Sequence, residues 1–465
     1  MTDARGQKQL LGHPYGLFVL FFTEMWERAS YYGMRALLTL YMTGSVMQPG
    51  LGFPDSKATK IYGLYTMLVY LMGIPGGFLA DRFIGHRRAV FIGGVIIAAG
   101  HFTMAVPGLP FFYLGLLLII LGTGLLKPNV STIVGTLYTR DDTRRDSAFS
   151  IFYMGINFGA FFAPLVTGWL GQKINWHIGF AAAGVGMVLG LIQYAFGQKY
   201  LVPVEERPMP QTVAVESTKT IAQEPQGFTS QEWGRIAAAC ILTLFALIFW
   251  AGFEQAGSSL TLFADRATRL TISQRTADAA ATGATALAGA RMHMEVNLNY
   301  PSSWFQSVEP LFVIILSLFF AWFWLKLGPR EPSSPAKFTL GLFFLSLSFL
   351  LIVPAARYFQ QTGQRVSPWW LIGLYFLQAV GELCLSPVGL SMVTKLSPAR
   401  VVGFMMGIWF FATAMGNYVA GWVAGLVGTR PYSEVFMIAF VTAAVVTLIL
   451  TVLIPVIKRL MAGVH

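Results

Sequence analysis

FYLGLLLIILGTGLLKPNVSTIVGTLY, residues 112–138, is apolar or small along most of its length and shows no two-residue alternation. A membrane strand would alternate over ~10-residue segments, so this run reads as a helix, whose ~20 apolar residues cross ~30 Å of hydrocarbon. A helix also pairs its backbone groups within the segment, as lipid demands. One feature is out of place: Lys127 stands directly before Pro128, well inside the span. A lone ammonium at that depth needs a partner or a wet cavity, and proline frees a backbone carbonyl where a helix lines such a cavity. Snorkelling to the headgroups is the plain alternative, and the depth of Lys127 argues against it.

Similar runs recur along the chain. Of its 465 residues 55% are hydrophobic and only 11% charged, which sets it apart from soluble globular proteins. Twelve spans are expected, at 15–42, 58–80, 89–107, 110–138, 145–170, 177–199, 232–262, 304–327, 335–356, 367–394, 400–426 and 432–458. They leave no room for a soluble domain, so the fold class is all-α integral membrane. The segment 201–231, LVPVEERPMPQTVAVESTKTIAQEPQGFTSQ, is polar and proline-rich and divides the spans six and six. The expected organisation is an N-terminal six-helix bundle at 1–200, a cytoplasmic linker at 201–231 and a C-terminal bundle at 232–465, with substrate held between the halves near the midplane. A second break, about 264–303, reads as an Ala/Thr-rich outer loop without chemistry.

Basic residues gather on the linker side, among them Arg87, Arg88, Arg144, Arg145, Lys395, Arg400, Lys458 and Arg459. The positive-inside rule therefore places both termini in the cytoplasm. Topology accounts for the net charge of +11, and no nucleic-acid partner is implied. The first thirteen residues are short and polar, and the apolar stretch after them lacks a small-residue cleavage site, so no removable leader is expected. Cys240 and Cys384 fall inside spans and read as core residues.

The first span contains EMWERASYYGMR, residues 24–35, with four charges. At ~100° per residue Glu24, Glu27, Arg28, Tyr31, Tyr32 and Arg35 share one broad stripe. Facing lipid, each charge would cost ~2.5–3.5 kcal/mol, so the stripe must face protein or water. It is either a buried helix contact or the wall of a pathway. Two carboxylates beside one arginine also form a plausible proton switch, since a like charge favours protonation and a cation opposes it. The second half supplies Glu254 in FWAGFEQAGSS and Glu382 in LQAVGELCLSPVGLSMV, neither with a basic neighbour inside its own span. Partners from the first half would give salt bridges that form and break as two bundles rock.

These residues resemble the proton-dependent oligopeptide transporters, the POT or PTR family of the major facilitator superfamily. The first-helix motif Glu-x-x-Glu-Arg with Tyr-Tyr-Gly stands at Glu24, Glu27, Arg28, Tyr31, Tyr32 and Gly33, with Ala29 where the family commonly has Phe. GGFLADRFIGHRR (76–88) resembles the superfamily's Gly-x-x-x-Asp-Arg loop, and FSIFYMGINFGAFFAPLVTG (149–168) the family's Phe-Tyr-x-x-Ile-Asn signature. SSWFQSVEPLF (302–312), GELCLSPVGLSMVTKLSP (381–398) and GFMMGIWFFATAMGNYVAG (403–421) extend the likeness.

The resemblance implies the major facilitator fold and proton-coupled import of di- and tripeptides by alternating access, with no cofactor, protons as coupling ion, and a functional monomer. It implies that Arg35 and Lys127 receive the peptide carboxylate, Asn157 its backbone and Glu382 its amino end, with Tyr32, Tyr70, Trp250 and Trp409 lining side-chain pockets. Glu24, Glu27, Arg28 and Glu254 would couple protons. Arg35 with Glu254 would close the outer side, and Lys127 with Glu382 or a first-helix Glu the inner. Asp81 and Arg82 would form a conformational latch, with a simple membrane-edge anchor as the other reading. Glu309 departs from the family's usual Asn before proline and stands either in the cavity or at its outer edge. A drug antiporter or nitrate-type importer would share the bundles but not the whole stripe. Zincin, nucleophile-elbow and P-loop patterns, which would mark an enzyme, are missing from the sequence.

Overall fold

A computed structural model describes residues 8–47, 49–139, 142, 144–201, 227–271 and 299–463. Most of the linker, 202–226, and the middle of the outer loop, 272–298, lie outside the described residues. Each expected span corresponds to a helix. The first six are α1 (Tyr15–Thr43), α2 (Asp55–Ile84), α3 (His86–Met104), α4 (Leu109–Thr136), α5 (Arg145–Trp169) and α6 (Trp176–Gly197). The second six are α7 (Ser230–Ala267), α8 (Val308–Leu327), α9 (Ser334–Thr362), α10 (Trp369–Leu396), α11 (Val402–Ala424) and α12 (Tyr432–Leu460). Among the described residues, ten are apolar enough to cross a membrane on composition alone; the exceptions are α1, with its charged stripe, and α3, which opens on Arg87 and Arg88.

Several ends follow from local chemistry. Thr229 caps α7 through a reciprocal box with Glu232, closing the N-terminus the sequence had assigned to the linker. The α9 helix runs past its apolar stretch to Thr362 and stops where Gly363 adopts a left-handed conformation. Before α1, Gln9–Leu10 and His13–Pro14 pair as a two-stranded hairpin whose turn residues Leu11 and Gly12 both have positive φ, 51° and 79°.

Helices α1–α6 pack on one another and α7–α12 likewise, and the halves meet along α2 with α11, α5 with α8, and α1 with α7. The outward surfaces are apolar: Leu325, Phe196 and Val452 are 84%, 79% and 75% exposed, a distribution suited to lipid. Cys384 is buried as expected, whereas Cys240 is exposed on the outer side of α7. A thiol behaves as a small apolar group, so lipid contact costs it little.

The proline in α4 has a structural consequence. Pro128 leaves the carbonyl four residues earlier, at Gly124, without its helical donor. Gly76 of α2 lies against that carbonyl so closely that a Cβ there would stand 2.0 Å from the oxygen. Only glycine lets the two backbones approach this far, and the approach brings Tyr70 beside Lys127.

The seam between the halves is stitched on the face opposite the chain ends. Arg266 makes a bidentate pair with Asp55 (2.6 and 2.8 Å), Thr39 donates to the Gly257 carbonyl (2.7 Å) and Trp304 Nε1 to the Leu165 carbonyl (3.0 Å). Gln172 receives a hydrogen bond from Ser303 (2.7 Å), and Gly63 of α2 meets Gly421 of α11 backbone to backbone.

Candidate functional site

Below that stitched face a cavity of about 170 Å³ lies between the halves. The first half lines it with Arg28, Tyr32 and Arg35 from α1, Tyr70 from α2, Lys127 from α4, and Tyr153 and Asn157 from α5. The second half contributes Trp250, Phe253 and Glu254 from α7, Gln306 and Glu309 from the entry to α8, and Tyr375 and Glu382 from α10.

The α1 stripe is buried throughout. Glu24, Glu27, Arg28 and Arg35 retain 2%, 0%, 1% and 5% exposure, so all four charges avoid lipid. Arg28 donates to both oxygens of Glu27, Nε to Oε2 at 2.5 Å and Nη2 to Oε1 at 2.6 Å. Its Nε also lies 3.4 Å from Glu24 Oε1, while Glu24 Oε2 is buried without a hydrogen-bond partner among the described residues. One guanidinium thus serves two carboxylates unequally. Only Arg28 of this trio reaches the cavity; Glu24 and Glu27 stand behind it.

Arg35 crosses the seam to Glu254, Nη2 to Oε2 at 2.7 Å, with both side chains almost wholly buried. Among the described residues Glu254 Oε2 has no aligned hydrogen-bond donor, so the contact is chiefly Coulombic. The guanidinium also lies over the rings of Tyr32 and Tyr62, at 5.4 and 5.8 Å. This pair sits directly beneath the closed face. Lys127 makes no salt bridge among the described residues; its ammonium rests 3.8 Å above the Tyr70 ring. The inner pairing of Lys127 with an acid is therefore not formed in this state.

Glu382 accepts a hydrogen bond from Tyr153 at 3.1 Å, a contact that joins α10 to α5 across the seam. Glu309 lines the same cavity as Glu382. Of the two positions left open for Glu309, the structure places it in the cavity wall. Asn157 lines the cavity too, its amide donating to the Tyr153 carbonyl at 3.1 Å.

Trp409 is not brought to the site. It is buried inside the second half against Phe338 and Gly389, where only a glycine leaves room for its ring. Asp81 and Arg82 do not line the cavity; they stand in a π-helical turn at the end of α2, with the Asp81 carboxylate 3.4 Å from His86 Nε2. Tyr153, Gln306 and Tyr375 were not singled out by the sequence reading. A signal existed for Tyr153, one helical turn before Asn157 in the quoted signature and thus on the same face.

The sequence model of the POT family matches residues 87–233 and 276–438. An uncharacterized transporter of Bacillus subtilis, YclF, is 42% identical over 98% of this chain and 97% of its own. The Yersinia enterocolitica peptide transporter YePEPT is 35% identical over 92% and 90%. A crystal structure of a peptide transporter POT, a point mutant in complex with alafosfalin, superposes with a TM-score of 0.83 at 40% identity, covering 98% of each chain.

Proposed function

Since the chain belongs to the POT family and is a membrane transporter with the major facilitator fold, we propose that it imports di- and tripeptides together with protons across the bacterial inner membrane, both termini lying in the cytoplasm. The observation that carries this reading is the polarity of the cavity. Cations from the first half, Arg35 and Lys127, face carboxyls from the second, Glu309 and Glu382. A zwitterion with a short variable backbone is recognised best at its two charged ends.

In this mechanism the peptide carboxylate docks on Arg35 and Lys127, its backbone on Asn157 and its amino end on Glu382, while Tyr32, Tyr70 and Trp250 form adaptable walls. About 170 Å³ falls below the ~300–1,000 Å³ of drug-sized sites and favours a small guest. The Arg35–Glu254 pair acts as the outer gate. Protonation of Glu254 removes the attraction and lets that face open; Glu24 and Glu27, competing for Arg28, relay charge from within the first half. Asp81 and Arg82 latch the cytoplasmic edge. The coupling ion is the proton, no cofactor takes part, and a single chain completes the cycle.

Proteoliposomes test the reading. An inward proton gradient must drive uptake of a labelled dialanine-like peptide, with competition by other di- and tripeptides but not by free amino acids or nitrate. Uptake favoured by the opposite gradient would mean antiport, and uptake indifferent to the gradient a channel.

A further inference from the structure

Of the cations that line the cavity, Arg28 pairs with Glu27 and Glu24, and Arg35 with Glu254, whereas Lys127 makes no salt bridge among the described residues. Against that one unpaired cation stand two carboxyls of the second half, Glu309 and Glu382, neither with an ion-pair partner among the described residues. Glu382 has the hydroxyl of Tyr153 at 3.1 Å. Glu309 is less well provided: its Oε1 is buried without a hydrogen-bond partner among the described residues. The amides that line the cavity are engaged elsewhere, Gln306 on Thr261 Oγ1 at 2.8 Å and Asn157 on the Tyr153 carbonyl at 3.1 Å. Glu309 as a whole is only partly buried, and the last torsion of a glutamate is broad, so either oxygen can be presented to a guest.

A peptide with uncharged side chains brings one carboxylate and one ammonium, which engage Arg35 with Lys127 at one end and Glu382 at the other. An ionised Glu309 would then remain in an enclosed site with no counter-charge, an arrangement that proteins avoid by pairing. A second cation on the guest removes the imbalance. We propose that Glu309 is a specificity-determining residue that selects peptides carrying a basic side chain, its carboxylate pairing with the side-chain ammonium or guanidinium while the terminal charges are held as before. The proposal deepens the peptide-import reading and rests on it.

The neighbours suit such a side chain. Phe253, Ala256 and Pro310 line the same cavity, and apolar surfaces of this kind flank the methylene stem of a lysine while its charged end reaches a polar partner. Glu309 also stands in the first turn of α8, where a carboxylate favours the helix dipole and needs no guest. A purely local role of that kind leaves side-chain preference independent of residue 309.

The test reads a ratio within each variant, so the amount of active protein does not enter. Counterflow of labelled dialanine in proteoliposomes, at the same neutral pH on both sides, is competed by lysyl-alanine, norleucyl-alanine and glutamyl-alanine. Norleucine matches the length of lysine without its ammonium, so the ratio of the two half-inhibitory concentrations isolates charge from size. The parent should favour lysyl- over norleucyl-alanine by about 10- to 150-fold, the worth of a hydrogen bond to a charged group, and should take glutamyl-alanine worst of the three. Glu309→Gln and Glu309→Asn should both bring the lysyl-to-norleucyl preference to within about twofold of parity and admit glutamyl-alanine more readily. Should either variant fail to transport, the same ratio is read from thermal stabilisation of the purified protein by each peptide, which needs binding alone. A parent without the lysyl preference, or a preference that survives in either neutral variant, overturns the proposal. A parent that carries no dialanine overturns instead the import reading on which it rests.

Discussion

Replacing Glu254 by Gln should open the far face of the seam. The Arg35–Glu254 contact at 2.7 Å involves side chains only 6% and 5% exposed, so solvent hardly screens it. Removing one partner of a buried pair leaves the other charge uncompensated and costs about 3–5 kcal/mol. That penalty falls on the state in which Arg35 is enclosed, and at ~1.4 kcal/mol per decade it shifts the closed-to-open ratio by about 150- to 5,000-fold. The other fasteners are weaker. The Asp55–Arg266 pair, with Arg266 38% exposed, is worth at most ~1 kcal/mol, and the neutral hydrogen bonds of Thr39 and Trp304 about 1 kcal/mol each.

The choice of partner matters. Arginine cannot discharge, so Glu254→Gln strands a permanent cation, whereas Arg35→Ala leaves an acid that can take up a proton and escape most of the penalty. In a background lacking Cys240 and Cys384, Ala256→Cys reports access to the cavity. Modification by an impermeant maleimide from the far face should accelerate until the open form dominates, more in Glu254→Gln than in Arg35→Ala, with the latter effect fading at low pH. Labelling of Glu254→Gln within about twofold of the parent would refute the gate.

Tyr153→Phe removes the hydroxyl that donates to Glu382 at 3.1 Å; a hydrogen bond to a charged group is worth ~1.5–3 kcal/mol, so half-saturation for dialanine should rise about 10- to 150-fold in equilibrium counterflow. Gly63→Ala sets a Cβ 2.7 Å from the Gly421 Cα only while the far face is closed, and overpacking of ~1–3 kcal/mol should raise far-face labelling as Glu254→Gln does; Gly403→Ala, with open space around it, should not. Glu27→Gln leaves Arg28 with the more distant Glu24 alone, and should abolish gradient-driven uptake while some counterflow survives. Burial, then the neighbouring Arg144, hold the His13 imidazole below its ordinary 6.5, so the neutral ring is the docked form. Its contribution to hairpin docking on Tyr138 is complete above the unfolded value and lost as pH falls through the docked one; proteolysis after Lys8 should quicken as pH is lowered below the ordinary imidazole range and become pH-independent in His13→Gln.

What the sequence reveals of this molecule follows the penalty for misplacement. Twelve spans are legible because ~20 consecutive apolar residues are a local property, and their ends shift only where a cap such as Thr229 or Gly363 overrides hydropathy. The inward direction of Glu24, Glu27, Arg28 and Arg35 is legible because any of them turned to lipid would cost several kcal/mol. The same argument places Lys127, Glu254 and Glu382 in the cavity wall. Trp409 carries no such constraint: an indole is equally at home in a protein core or at the edge of a cavity, and the packing of Gly389 and Phe338, not its own chemistry, decides its place. Cys240 is a parallel case, a small apolar group that lipid accepts. Glu309 differs from both. Its charge required a polar setting, which either the outer edge or the cavity could supply, and only the packing of α8 against α5 and α10 selects the cavity. A polar side chain near a helix end is therefore the hardest to place from sequence. Here it shares the cavity wall with Glu382, an acid from another helix.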